Sequence, residues 1–157
     1  MSRETKDDQI TGLIAAYRAN SSQDSAFDAL AAERLGISPT DLRCLDIVQG
    51  RGGLTAGELA SAAGLTTGAV TGVVDRLERA GLARRARDEA DRRKVNVEVT
   101  DRHYAESGAI WGPLMADWQR LLTSRFTAAE LATITEFLDT ATALGARHAE
   151  RIRVTGG

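Results

Sequence analysis

The spacing of apolar residues along this chain is helical nearly throughout, with one stretch of strict alternation at residues 95–99. A helical stripe over residues 7–35 is interrupted by the polar run at 20–22, where we expect a break. Proline at the first position of a helix and an acidic residue in its first turn favour a second helix that begins at Pro39 and ends at Gly50. The pattern therefore predicts mainly α-helical structure.

Two short helices joined by a glycine turn are predicted in the middle of the chain. Thr55 and Glu58 have the spacing of a capping box, in which each side chain satisfies a free backbone N–H of the other residue, and Gly64 supplies the turn. Thr66 is the predicted N-cap of the next helix, and Gly81 is expected to end it. Its buried stripe consists of Val70, Val73, Val74 and Leu77. The arrangement is a helix-turn-helix, whose natural partner is double-stranded DNA.

An arginine-rich hairpin is predicted directly after the helix-turn-helix. The alternating valines of residues 95–99 indicate a half-buried strand, and an acidic tip precedes it. From Arg76 to Val95 the chain holds eight basic and four acidic residues. Two strands joined by a basic tip form a wing that can enter the minor groove of DNA, where negative potential attracts arginine. The interleaved acidic residues leave open the alternative of an ordinary solvated surface.

The outward face of the second helix is the predicted DNA-reading surface. At about 100° per residue, the positions opposite the buried stripe are Gly68, Thr71, Gly72, Asp75, Arg76 and Arg79. A glycine inside a helix costs about 1 kcal/mol relative to alanine, so both glycines require an explanation. We interpret them as positions where the backbone lies close to a groove wall while Thr67 and Thr71 reach bases or phosphates. The alternative is that a glycine-rich chain has small residues on a solvated face.

These residues resemble the winged helix-turn-helix of the multiple-antibiotic-resistance regulator (MarR) family. The matching segments are GLTTGAVTGVVDRLERAGLARR, the wing tip DEADRRKVNV, and Thr100, which closes the wing. The family's wing usually carries Asp-Arg-Arg, which stands here at Asp91, Arg92 and Arg93. The resemblance implies that Arg93 is a minor-groove arginine and that Asp91 orients it. A common form of the wing has Asp-Pro-Arg just before this triplet, whereas this chain has Asp-Glu-Ala at 88–90.

The helix and the wing together provide the predicted DNA-binding residues, with Asp91 as support for the wing. The set comprises Thr66, Thr67, Gly68, Thr71, Gly72, Arg76, Arg92, Arg93 and Lys94. Positive charge is concentrated here, because residues 50–100 carry nine basic and seven acidic residues although the whole chain has a net charge of −2. Acidic flanks weaken non-specific attraction to DNA.

Long helices are also predicted after the winged segment. One begins at Asp101, capped by Thr100, and is expected to be disturbed at residues 112–113, where glycine precedes proline. Another begins with the capping box of Thr127 and Glu130. Its apolar stripe consists of Leu131, Ile134, Leu138, Ala141 and Leu144. Such a stripe needs a partner surface, and the winged segment is complete without it.

The helices at the two ends of the chain predict a dimer. We expect a mainly α-helical fold in which residues 1–37 and 101–157 form a dimerisation bundle and residues 38–100 form the winged DNA-binding lobe of a single intertwined domain. The resemblance implies the same, because members of the family are symmetric dimers held by their first and last helices. A monomer that folds its ends over its own core is the alternative.

No feature of the sequence indicates catalysis, a metal site or a cofactor. Cys44 lies among apolar residues, where a cysteine is usually a small hydrophobe, and His103 and His148 lack companion cysteines at zinc spacing. No nucleophile elbow, phosphate loop or paired-carboxylate motif is present. We therefore predict a protein that is not an enzyme and that needs neither cofactor nor metal.

Effector control is implied by the resemblance alone. Many members of the family bind small aromatic or amphipathic molecules between the dimer helices and the DNA-binding lobe. Tyr17, Trp111 and Trp118 are the bulky side chains that could line such a pocket. Packing in the core or at the dimer contact is the alternative for all three, and the low aromatic content of 4% favours it.

The resulting hypothesis is a homodimeric, sequence-specific transcription regulator, expected to repress from a pseudo-palindromic operator and to be released by a small-molecule effector. A winged-helix module that binds protein instead of DNA is the alternative, against which the Gly/Thr/Arg helix face and the basic wing argue. We expect a cytoplasmic protein with no membrane partner, because the first apolar patch, at 10–16, is short and follows acidic residues. The single cysteine fits a reducing compartment.

Overall fold

The computed structural model describes residues 5–87, 91 and 93–155 and has the predicted mainly α-helical fold. Its helices are α1 (Lys6–Leu35), α2 (Pro39–Arg51), α3 (Ala56–Ala63), α4 (Thr67–Arg79), α5 (Asp101–Arg125) and α6 (Ala128–Thr155). Its strands are β1 (Leu54–Thr55), β2 (Ala83–Arg87) and β3 (Val95–Val99). The helices α3 and α4 with the hairpin of β2 and β3 form a winged helix-turn-helix, as the sequence predicts.

Helix starts are fixed by capping side chains, which is why they follow from local sequence. Thr55 and Glu58 form the expected capping box at α3, with the Glu58 N–H donating to Thr55 Oγ1 at 3.3 Å and the Thr55 N–H to the Glu58 carboxylate at 2.8 Å. Thr66 caps α4 by accepting the Ala69 N–H at 3.2 Å. The same box opens α6 at Thr127. These predictions are confirmed.

The end of α4 is a Schellman motif centred on Gly81. This residue has a φ of 72°, in the left-handed region that glycine adopts without strain. Its N–H donates to the Glu78 carbonyl at 2.9 Å, and the Leu82 N–H donates to the Leu77 carbonyl at 3.0 Å. The chain therefore turns sharply from α4 into the wing, and the predicted end of the helix is confirmed.

The sheet has the order β1-β3-β2, with both pairs antiparallel. In the central strand β3, Val97 pairs with Leu54 on one side and Arg85 on the other, and it is buried. Val95, which the alternation predicts on the buried face of the strand with Val97, is instead 47% exposed. The reason is that β1 ends opposite Asn96, so Val95 lies beyond it toward the wing tip.

Two predictions about where helices are interrupted or end are wrong. The helix α1 continues through residues 20–22, because the polar side chains there lie on an exposed surface and bond along the helix, as when the Asn20 amide donates to Asp24 at 2.8 Å. The helix α5 contains Pro113 and does not end there, and the disturbance expected at residues 112–113 stays a prediction. The helix α2 ends at Arg51 rather than Gly50, because Gly52 is the left-handed cap.

The chain divides into two compact units, Met1–Ile110 and Trp111–Gly157. The buried apolar residues belong to the first unit, and most of them come from α2, α3, α4 and β3. The helix α6 contributes none. Among the described residues, none of the helices combines the length and the apolar character that crossing a membrane requires.

Candidate nucleic-acid interface

The helix α4 has one buried face and one exposed face. The valine and leucine stripe of residues 70–77 is buried, as predicted. Thr67, Gly68 and Thr71 are exposed at the N-terminal half of the helix. The Thr71 hydroxyl donates to the Thr67 carbonyl at 3.0 Å. With its proton engaged, the Thr71 oxygen presents lone pairs, and its methyl group is also available for contact with a thymine methyl.

The two glycines on this face have different surroundings. A Cβ added at Gly68 would have no neighbouring heavy atom within 4 Å, so the position is open. A Cβ added at Gly72 would lie 3.4 Å from Nη1 of Arg76. Close approach of a groove wall stays a prediction for both positions, but Gly72 also leaves space for an arginine of its own helix.

Arg76, a predicted DNA-binding residue, is engaged in an ion pair with Asp41 at the start of α2. Its Nε and Nη2 atoms donate to the carboxylate at 3.0 Å and 2.6 Å. The Asp41 side chain is 1% exposed, whereas that of Arg76 is 45% exposed. Burial by itself would raise the pKa of the Asp41 carboxyl, but hydrogen bonds from Arg76 and Ser38 outweigh it and lower the pKa below the ordinary 3.8.

Sequence reasoning missed Asp41 as a functional candidate. Its place in the first turn of α2 is explained by a capping box, in which the Asp41 N–H donates to Ser38 Oγ and the Ser38 N–H donates to Asp41 Oδ2. The second role requires a residue 35 positions further along the chain. A buried acidic residue beside a cap could have been found only from the tertiary fold.

The wing is attached to α4 through Arg85 on β2. The Arg85 guanidinium donates to Asp75 at 2.8 Å and also to the Glu78 carboxylate. The Arg85 backbone N–H donates to Glu78 at 2.8 Å. Two acidic residues of α4 therefore hold the first wing strand against the helix. Because these carboxylates already accept hydrogen bonds from Arg85, its guanidinium is less available to DNA than that of an unpaired wing arginine.

The described part of the wing tip is shaped by Asp91. Its side chain accepts the Arg93 N–H at 3.1 Å, and its carbonyl accepts the Lys94 N–H at 2.8 Å. The side chains of Arg93 and Lys94 are exposed. The contact between Asp91 and Arg93 is thus made at the backbone. The predicted residue Arg92 and the run at 88–90 lie outside the described residues.

The candidate effector residues are not in the core of the single chain. Tyr17 in α1 and Trp111 in α5 are half-buried, and Trp118 is exposed. Trp118 lines a hollow of about 560 Å³ together with Leu114 and Leu121 on the same helix. Core packing is therefore incomplete for Trp118 within one chain, and the role of the two half-buried side chains stays a prediction.

Cys44 and His103 are both buried in the first unit. Burial raises the pKa of the Cys44 thiol, which makes the reactive thiolate scarce at neutral pH. The ring of His103 lies 2.6 Å from the Gln49 side-chain oxygen and also contacts Ser107. Within residues 5–87, 91 and 93–155, no three His, Cys, Asp or Glu residues are grouped as metal ligands would be.

Comparison with known proteins gives matches over the motif and over the whole chain. The model of the MarR family matches residues 35–94. The HTH-type transcriptional regulator YcgE of Bacillus subtilis is 32% identical over 151 residues, which cover 96% of this chain and 97% of that protein. A MarR family protein from Bacillus stearothermophilus has a similar fold, with a TM-score of 0.64 and 23% identity over 93% of this chain and 99% of that one. Wild-type MarR from E. coli also has a similar fold, with a TM-score of 0.56 and 23% identity, and the match covers 82% of this chain and 96% of that one.

Proposed function

We propose a specific regulatory function for this chain, which belongs to the MarR family of transcription regulators. It is a regulator of the winged helix-turn-helix class, whose partner is DNA. Beyond that, we propose that it acts as a homodimer, that it binds a pseudo-palindromic operator, and that its binding represses transcription.

The observation that carries the proposal is the exposed N-terminal half of α4. In helix-turn-helix proteins this end of the second helix enters the major groove and contacts base edges. Here Thr67, Gly68 and Thr71 are exposed at that end, while the opposite face of the helix fills the core. The exposed wing residues Arg93 and Lys94 supply positive charge for the neighbouring minor groove or phosphates.

Dimerisation is supported by apolar side chains that the single chain leaves exposed. In α1 they are Ile10, Leu13, Ile14 and Leu30, and in α5 and α6 they include Met115, Leu121, Phe137, Leu138 and Leu144. Soluble proteins rarely expose so many large apolar residues unless another surface covers them. A second copy is the proposed cover. The two-fold symmetry of such a dimer would place its two recognition helices on half-sites related by inversion.

Repression and effector release form the remaining part of the proposal. A dimer that occupies a promoter excludes other proteins from it. The hollow beside Trp118 has the size of many small-molecule sites, and aromatic or amphipathic compounds suit its apolar residues. Tyr17 and Trp111 are proposed to contribute to effector binding as the sequence predicts.

The proposal is tested by a gel-shift titration with the DNA immediately upstream of the chain's own gene. A duplex that contains an inverted repeat should be bound, and scrambling one half of the repeat should abolish the shift at the same protein concentration. Binding that is equal for native and scrambled duplexes would contradict sequence-specific recognition. If no duplex is bound while the wing captures a protein partner, the protein-interaction module becomes the correct function.

A further inference from the structure

We propose that Asp41, on α2, is a positioning residue for DNA binding, which holds Arg76 of α4 in the orientation that contacts a phosphate of the DNA backbone. The inference rests on the proposed function and deepens it, because it explains how one proposed DNA contact is positioned. Asp41 itself is buried and lies outside the exposed face of α4. Its basis is the geometry of one ion pair and of the glycine beside it.

The Asp41 carboxylate holds one edge of the Arg76 guanidinium. Arg76 Nε donates to Oδ2 at 3.0 Å, and Nη2 donates to Oδ1 at 2.6 Å. Two parallel hydrogen bonds of this kind fix the plane of an arginine side chain as well as its position. Asp41 is itself held in place, because its carboxylate also accepts the Ser38 N–H at 3.2 Å.

The other edge of the guanidinium lies at the outer surface of α4. A Cβ at Gly72, one turn earlier in the helix, would lie 3.4 Å from Arg76 Nη1. The Arg76 side chain is 45% exposed although its carboxylate partner is buried. Glycine at position 72 therefore leaves the approach to Nη1 open on that side, and the outward edge can donate to a ligand while the inward edge stays bound.

A phosphate oxygen is the ligand that suits this outward edge. Arg76 lies in the C-terminal half of α4, whereas the N-terminal residues of a recognition helix contact the bases. Contacts from arginine to phosphates fix the register of a protein on the duplex. An arginine that a carboxylate already holds loses less side-chain entropy when it binds. Positioning by Asp41 would therefore increase the affinity for a duplex on which both half-sites are in register.

A purely structural ion pair between α2 and α4 leads to the opposite expectation for one substitution. Asp41→Asn removes a negative charge close to the DNA-binding face, and electrostatics alone would then strengthen binding to any duplex. If Asp41 positions Arg76, the same substitution weakens binding to the selected duplex although the protein becomes more positive. The sign of the change in affinity separates the two roles.

The test uses the full-length chain and a duplex that the wild-type protein selects from a randomised pool, with fluorescence anisotropy as the readout. Asp41→Asn is expected to weaken binding to the selected duplex about tenfold, the order that one charge-assisted hydrogen bond contributes, and to weaken binding to random duplex as well, because a phosphate contact carries no sequence information. Asp46→Asn is the matched control, because it makes the same substitution at an exposed position of α2. It should bind as the wild type does.

Arg76→Lys is the second variant, and it keeps the positive charge beside Asp41, so the fold is retained even if Asp41→Asn does not fold. Lysine cannot reproduce the two-bond geometry, so Arg76→Lys should lose affinity as Asp41→Asn does. The double variant should lose no more than either single one, because both remove the same positioned contact.

Two results would overturn the proposal. One is an Asp41→Asn protein that binds the selected duplex as tightly as Asp46→Asn or more tightly. The other, decisive if Asp41→Asn shows no cooperative unfolding transition, is an Arg76→Lys protein with wild-type affinity. If the wild-type chain selects no duplex from the pool, the proposed function itself fails, and the role of Asp41 fails with it.

Discussion

The winged segment and the terminal helices of this chain differ in where their apolar side chains lie. Among the described residues, every buried one lies between Ala31 and His103. The helix α6 has an apolar stripe of the predicted spacing, and yet none of its residues is buried. The helix α1 buries only residues near its C-terminal end. Apolar spacing alone therefore does not distinguish a face that fills the core from one that the single chain leaves exposed.

The difference arises because the hydrophobic core of the winged segment is complete within one chain. The stripes of α2, α3 and α4 meet one another and the sheet, so their burial is complete within one chain. Burial stabilises by roughly 25 cal/mol for each Å² of apolar surface removed from water, and the stripe of α6 gains little of this in a single copy. We propose that a second chain supplies the missing burial.

The largest expected effect is the loss of the dimer when glutamates replace two leucines in the apolar stripe of α6. Leu138 and Leu144 are about half exposed in the single chain, so Leu138→Glu/Leu144→Glu should leave the winged lobe folded. Because each half-site would then bind alone, affinity for the operator should fall by about a hundredfold or more. Light scattering and gel-shift titration measure the two changes. Ala132→Glu/Ala143→Glu, at exposed positions on the opposite side of the helix, is the control and should remain dimeric.

A core substitution should act on stability rather than on assembly. Leu77→Ala, at a fully buried position of α4, is expected to lower the free energy of unfolding by about 2–5 kcal/mol, as measured by urea denaturation. Ile152→Ala truncates an aliphatic side chain of the same size at an exposed position of α6. It should change the free energy of unfolding by less than about 0.5 kcal/mol. Similar losses for the two variants would contradict the contrast between the regions.

The wing should contribute through Arg93. Arg93→Ala is expected to weaken operator binding about tenfold, most strongly where the flanks are rich in A·T pairs and the minor groove is narrow. If Arg93 only neutralised one phosphate per subunit, the slope of log affinity against log salt would change by about 1.8 for a dimer. Insertion into the groove predicts a smaller change in slope. Arg125→Ala, at an exposed arginine of α5, is the control, and unchanged affinity in Arg93→Ala would refute the assignment.

Thr71 should determine specificity with a smaller effect. Thr71→Ala is expected to lose about 1 kcal/mol on the operator and to relax the preference for one base per half-site. Thr133 is the matched control, because its hydroxyl also donates to a carbonyl one turn earlier, on an exposed part of α6. Selection of duplexes by each variant measures the preference. Equal loss on operator and random DNA would leave Thr71 with a phosphate contact only.

The smallest expected effect concerns acid stability. The pKa of the Asp41 carboxyl is below its ordinary value of 3.8 in the folded chain, so the unfolded chain takes up the proton first as the pH falls. The stabilisation is present above pH 3.8 and is lost as the pH falls through the lower, folded pKa. Asp41→Asn should therefore flatten the dependence of unfolding free energy on pH in that window.

Asp46 provides the control of opposite sign. Asp46 is exposed as a residue, but neighbouring protein atoms partly desolvate its carboxyl, and this desolvation, followed by the charge of Asp28, raises the pKa of that carboxyl. Asp46→Asn therefore removes a contribution that favours the folded state in acid, and the dependence of unfolding free energy on pH should become steeper rather than flatter. Equal slopes for both variants, compared by urea denaturation at several pH values, would show that neither carboxyl is linked to folding in this way.

The predictable parts of the fold are those that short segments determine. The capping box of Thr55 and Glu58 and the glycine that ends α4 each act within a few residues, so they could be located before the structure was known. The stripe of α4 was equally clear because its residues fill one core. The break expected in α1 was wrong, because polar residues interrupt a pattern without interrupting a helix whose surface is exposed.

The candidate site was less predictable because its contacts join distant segments. Arg76 was assigned to DNA from its position on the helix, but its partner Asp41 lies 35 residues earlier and has a local role that already explains it. Arg85 has two acidic partners on α4 that the hairpin pattern could not indicate. Ion pairs between elements thus engage arginines that the sequence alone assigns to DNA.

The mass of the full-length chain in solution tests the central claim most directly. Sedimentation equilibrium at micromolar concentration should give twice 16.8 kDa, and dilution over a wide range should leave that mass unchanged, because the exposed stripes of α1 and α6 need a permanent cover. A mass of 16.8 kDa at the same concentration would contradict the account, since those apolar faces would then remain in contact with water.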